Sequence, residues 1–185
     1  MKMRLLFISI FIFGISISVL AQDLIHTDST NGFNVTTPEG WSDIDLAGRM
    51  VWHVASNNGT ELPDCGVIIT DDWSFAALTQ EEYVSSQSEA QLKKLFSLNF
   101  SDVAIGLWEP NFPFAETTAL HYIVSGTSDN FRQTSMSFQI IHDRKLYTLF
   151  CNAPAGKFPN LYLDLLGVAD SFSFLQSNTP EGSFN

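Results

Sequence analysis

The chain has 185 residues, of which 20 are acidic and nine basic, for a formal net charge of −11. That length carries one domain with a full hydrophobic core. The charge argues against nucleic acid and anionic lipid surfaces as partners, since the only adjacent basic pairs are Lys93-Lys94 and Arg144-Lys145; it suits plain solubility or a basic partner.

Residues 1–21 read as a secretory signal peptide. Lys2 and Arg4 supply a positive start, Leu5 to Val19 is apolar apart from Ser and one Gly, and Val19-Leu20-Ala21 offers an exit for cleavage before Gln22. The alternative is an uncleaved anchor helix, for which the run falls just short of a comfortable span of about 20 residues. No Cys follows the cleavage point, which removes lipoprotein attachment. Cleavage leaves seven basic against all 20 acidic residues, a charge near −13, and no second stretch long enough to span a bilayer. The expected location is periplasmic or extracellular, without stable membrane insertion after cleavage.

Residues 22–30 are polar and read as a loose lead-in. Gly32-Phe33-Asn34-Val35 alternates as a short strand and meets a turn at Pro38-Glu39-Gly40-Trp41. Arg49 to Ala55 is a second strand, closed by Asn57-Asn58-Gly59, and the β-branched run Cys65 to Thr70 suits a strand buried on both faces. A helix follows: Thr79 with Glu82 forms a capping box, Glu81 and Glu82 sit near the positive end of its dipole, and Lys93 and Lys94 near the negative end. Its packing stripe runs through Val84, Ser88, Leu92, Leu95 and Phe96.

Strands are then expected at Val103 to Trp108, Thr117 to Ser125, Arg132 to Ile141 and Leu146 to Asn152, with a link punctuated by Pro110 and Pro113 after the first. The last two form a tight hairpin at Asp143-Arg144. Pairing across it sets Ile140 opposite Tyr147, Phe138 opposite Leu149 and Met136 opposite Cys151, all on one core face. Phe158 to Ala169 has helical spacing, and Ser171 to Phe174 alternates as a last short strand. Residues 22–175 thus make a single domain, and 176–185, polar with Gly and Pro, a flexible tail.

Two cysteines enter an oxidising compartment. Cys65 and Cys151 either form one disulfide or remain buried free thiols, and their apolar strand-like surroundings suit both. Neither has cationic neighbours or a C-x-x-C partner, which argues against a catalytic thiol.

This element order, with the phrases Phe33-Asn34-Val35, Pro38-Glu39-Gly40-Trp41, Arg144-Lys145-Leu146-Tyr147-Thr148-Leu149, Pro154, Phe158 and Ala169-Asp170-Ser171-Phe172-Ser173-Phe174, resembles the PsbP-like superfamily, including the bacterial DcrB-like exported proteins. The resemblance implies an α/β fold: an α/β/α sandwich with a central antiparallel sheet and helices on both faces. It also implies action by binding partners, as accessory subunits, chaperones or envelope factors, and it brings no shared catalytic constellation. In that fold Trp41 is expected as a plug at the sheet's edge, and Phe158 and Phe172 as pins at the two ends of the second helix.

Catalytic chemistry finds no motif. His26, His53, His121 and His142 lack zinc-ligand spacing, His53 and His121 fall within strands, and His142 is expected exposed beside its turn. No nucleophile elbow, dinucleotide fingerprint or P-loop occurs, and Ser125-Gly126-Thr127-Ser128 reads as a hairpin loop. Asp64, Asp71 and Asp72, with Glu61, are candidate oxygen ligands for Ca²⁺, although the spaced acidic loop is absent and Asp is a common turn residue. Asn34, Asn58 and Asn99 head glycosylation patterns, which matter only where the host glycosylates exported proteins.

The aromatic residues Trp73, Phe75, Trp108 and Phe112 fall in connections rich in Pro and Asp, where an exposed ring makes a binding anchor and a ring folded over the sheet does not. The expectation is a non-enzymatic exported factor of the envelope that binds another, basic protein through acidic and aromatic loops. An inhibitor or immunity protein is one form of it. The alternative is a small-molecule or calcium-binding exported module.

Overall fold

The computed structural model describes residues 23–46, 48–57 and 63–176. The signal-like segment 1–21, Glu61 and Asn58 lie outside them, as does the tail beyond Gln176. Among the described residues the order is β1 (Leu24–Asp28), β2 (Phe33–Thr37), β3 (Trp41–Asp43), β4 (Met50–Ser56), β5 (Asp64–Thr70), α1 (Gln80–Ser86), α2 (Glu89–Phe96), β6 (Ser101–Phe114), β7 (Thr117–Ser128), β8 (Phe131–His142), β9 (Lys145–Pro154), α3 (Phe158–Asp170) and β10 (Ser173–Phe174). No helix among them is long and apolar enough to cross a membrane.

The strands form two antiparallel sheets. One holds β1-β2-β10, and the other holds β3-β4-β5-β9-β8-β7-β6. The β8–β9 hairpin has the register expected of it: Ile140 faces Tyr147, Phe138 faces Leu149 and Met136 faces Cys151, with Asp143 and Arg144 at positive φ in the turn. Those six residues belong to the larger core cluster, where Val54, Val67, Phe33 and Val35 join the buried face of α3 through Phe158, Leu165, Val168 and Ala169. A second cluster collects Tyr83 and Val84 of α1, Leu92 of α2, and Leu120, Tyr122 and Val124 of β7. Phe158 and Phe172 are both buried in the first cluster, at the two ends of α3.

Cys65 and Cys151 sit directly opposite each other on β5 and β9 and are joined as a disulfide. The bond ties the first half of the seven-stranded sheet to the second across 86 positions of sequence.

Several elements differ from expectation. The lead-in contains strand β1, whose only apolar residues, Leu24 and Ile25, are both exposed, so it forms by pairing with β2 and leaves no burial pattern to read. The helix after Thr79 is two helices. The capping box is present on α1, but Ser88 caps a new start by accepting from the Gln91 N–H at 3.3 Å, and Leu95 is left exposed. The link at Pro110 and Pro113 is part of the 14-residue β6. A proline is tolerated there because β6 is the sheet's edge strand and its register shifts at three places. Gly126 is not in a loop but inside β7, where a Cβ would lie 2.8 Å from the Cβ of Phe100; the ring of that residue packs down onto the strand. The turn falls instead at Asp129-Asn130.

Candidate functional site

The loop after β5 is organised by Asp72. Its Oδ1 accepts from the Ser74 N–H at 2.9 Å, and its carbonyl accepts from the Phe75 N–H at 2.9 Å. The bond from Ser74 holds this carboxyl below its ordinary value. This turn sends neighbouring rings in opposite directions. Trp73 points into solvent, 87% exposed, while Phe75 turns inward to meet Tyr83 edge-on at 6.1 Å.

The other two candidate rings are not in connections. Both lie on β6, so strand pairing decides where they go. Trp108 is half-buried and stacks on Tyr122 at 6.4 Å. Phe112 packs between His121 at 4.7 Å and Phe138 at 5.6 Å. The four rings therefore do not converge, and Trp73 is the one that stands free of the core.

The candidate metal ligands are also separated. Asp64 opens β5 and Asp71 follows its last residue, so the extended strand holds them about 20 Å apart. Asp64 Oδ1 faces His53 Nε2 at 3.1 Å and accepts from Asn152 Nδ2 at 3.0 Å. Burial pushes its carboxyl above the ordinary value, and those two bonds pull back. Among the described residues no group of three His, Cys, Asp or Glu side chains is arranged to hold a metal ion.

A second histidine–carboxylate pair joins His121 Nδ1 to Glu109 Oε2 at 2.9 Å. His121 is 1% exposed and lies flat against Phe138, ring centres 4.4 Å apart. The second nitrogen of each imidazole, His53 Nδ1 and His121 Nε2, is buried without a hydrogen-bond partner. A base needs that nitrogen to reach a proton, so neither pair extends to a nucleophile. His142, expected exposed, is half-buried because it stacks on Phe174 at 3.7 Å.

One site was not anticipated. Where the two sheets part, the Pro38-Glu39-Gly40 turn carries the chain from β2 to β3, with Gly40 at φ 74° and the Trp41 N–H donating to the Pro38 carbonyl at 3.2 Å. A groove of about 650 Å³ opens between this turn and α3. Trp41, Leu161 and Leu163 offer apolar surface, and Asp23, Glu39 and Asp164 offer carboxylates. The Glu39 backbone N–H donates to Asp23 Oδ1 at 3.2 Å, which ties the Asp23 carboxylate to the turn. Trp41 had been expected as a plug; it is half-buried against the core and lines the groove as well. The one sequence signal was the Pro-x-Gly-Trp phrase, and it reads as structural until α3 is placed beside it.

No family model matches the sequence, and no curated protein matches it. Comparison with solved structures finds resemblances. The solution structure of cyanobacterial PsbP (CyanoP) from Synechocystis aligns with a TM-score of 0.57 at 15% identity, covering 84% of this chain and 94% of that one. The crystal structure of LpqN, involved in cell envelope biogenesis of Mycobacterium tuberculosis, aligns with a TM-score of 0.48 at 13% identity, covering 83% and 91%. The fold is PsbP-like, built among the described residues on antiparallel sheets with three helices.

Proposed function

We propose that this chain, PsbP-like in fold, is a non-catalytic exported factor of the cell envelope that binds another protein, as the resemblance to DcrB-like proteins implies. The observation that carries the reading is Trp73: an indole 87% exposed, on a loop with Asp71 and Asp72, in a chain whose charge after signal cleavage is near −13. A large exposed ring beside fixed negative charge supplies an anchor and an attraction for a basic surface. An inhibitor or immunity protein for a basic toxin or enzyme is one form of this role. The buried Cys65–Cys151 disulfide supports an oxidising compartment. The His53–Asp64 and His121–Glu109 pairs are spent within the sheet, which supports a binding rather than a catalytic role. The sandwich with helices on both faces belongs to the same reading; α3 packs in one core cluster and α1 and α2 in the other.

Affinity capture from the protein's own cells, at low and moderate salt, tests the reading. One stoichiometric basic partner is expected, weakened by salt and weakened at least tenfold by Trp73→Ala. No specific partner at either salt would remove the proposal.

A further inference from the structure

Helix α3 contains a glycine that its own packing does not call for. Gly167 is inside the helix, a position that disfavours helix relative to alanine, and a Cβ built on it would meet nothing within 4 Å. No neighbour requires the missing side chain. What Gly167 does is leave open the wall of the groove between α3 and the Pro38-Glu39-Gly40 turn, which it lines.

That groove has the volume of a ligand site. Among the described residues its lining includes Asp23, Glu39 and Asp164 but no Lys, Arg or His, so the charge they carry has one sign. The Asp23 carboxylate is tied to the Glu39 backbone, and Asp164 comes from the helix. The same lining includes Trp41 and Leu161, both half-buried, and Leu163, 76% exposed on the same helix. An aromatic face beside carboxylates favours a guanidinium or ammonium group, and the aliphatic surface favours an apolar neighbour to it.

We propose that this groove takes an extended segment of a partner protein in which Lys or Arg alternates with apolar side chains. The cation lies against Trp41 and the carboxylates, and the apolar side chain lies on Leu163, one helical turn from Gly167. The assignment rests on the protein-binding role proposed above and adds a second contact to it, distinct from Trp73.

The test is a selection of random twelve-residue peptides on the immobilised protein, followed by fluorescence anisotropy of the enriched peptides. Two variants decide it. Gly167→Leu fills the groove from a position with open space and better helix propensity, so it should melt no lower than the parent; Asp164→Lys reverses one charge. Peptides combining Lys or Arg with apolar residues should be enriched, and both variants should weaken them at least tenfold, while Leu98→Ser on the distant α2 side leaves them unchanged. Enriched peptides without basic residues, or equal binding to Gly167→Leu, would overturn the assignment. A dimer of the parent abolished by Gly167→Leu would also overturn it, by placing a second copy in the groove. If a captured basic partner binds Gly167→Leu as well as the parent, the groove assignment falls and the protein-binding role stands. If capture fails while the selected peptides still need the groove, the partner anchored at Trp73 falls and the groove stands alone as a site for basic and apolar peptide segments.

Discussion

His121 shows what burial does to a single side chain. Its ring fills a slot against Phe138 and Phe112, with Glu109 on Nδ1 and nothing on Nε2. Burial holds the imidazole below its ordinary value, and the Glu109 carboxylate acts in the opposite direction without overcoming it. The unfolded chain therefore takes a proton near pH 6.5 that the native state refuses. The stability tied to this residue is complete above that pH and is lost as pH falls toward the native value. Melting temperature should decline between pH 7 and pH 5, and the decline should be shallower in His121→Phe, which keeps the ring stack and removes the titration. Equal slopes in the two proteins would assign the decline to other groups. The strand positions of His53 and His121 were legible from alternation; their carboxylate partners were not, because Glu109 and Asp64 meet them only through the register of β6 on β7 and β5 on β4.

At the scale of elements, the three long hairpins share one solution. The turns Ala115-Glu116, Asp129-Asn130 and Asp143-Arg144 place both residues at positive φ, the geometry that matches the twist of the flanking strands. None of them uses glycine, and a non-glycine residue there costs about 1–2 kcal/mol, less for Asn and Asp. Glu116, at φ 63°, has neither a short polar side chain nor a missing Cβ to ease it. Glu116→Gly should stabilise the protein by about 1 kcal/mol, read as a higher urea midpoint at unchanged slope. A lower midpoint would show that its side chain holds something the turn needs. The Asp143-Arg144 hairpin was readable because long alternating runs flank a polar pair. The continuity of β6 was not, since Pro110 and Pro113 are breakers in any strand but an edge, and edge position is a property of the sheet. The break between α1 and α2 was hidden for a related reason: Ser88 continues a packing stripe at helical spacing as well as it caps a new helix, and only the backbone decides.

For the molecule as a whole, the seven-stranded sheet joins two hairpin-built halves along β5 and β9, and the disulfide crosses that seam. Closing so long a loop removes freedom from the unfolded chain, worth about 4–5 kcal/mol. The double variant Cys65→Ser with Cys151→Ser should lose roughly that much in urea unfolding, and the intact protein should run two daltons lighter without reductant than the fully reduced chain. Two free thiols in the protein taken from its own compartment would remove both expectations. The PsbP-like fold was visible from element order and short phrases. The groove was not, because Glu39 and Asp164 are far apart in sequence and become neighbours of one cavity only when α3 folds back beside the β2–β3 turn.

The strand order has a consequence for how the chain is made. β3, β4 and β5 leave the ribosome well before β9, yet β5 finds its second neighbour only in β9. Until then the run Cys65 to Thr70, β-branched and nearly uncharged, presents an open edge of the kind that recruits other chains. Its thiol waits just as long for its mate. A newly made chain thus passes through an interval in which it is both adhesive and able to pair with the wrong cysteine, and that interval ends only when residues 145–154 arrive. Until β9 has been made, the open edge of β5 has to be kept from other chains by something besides its own sheet.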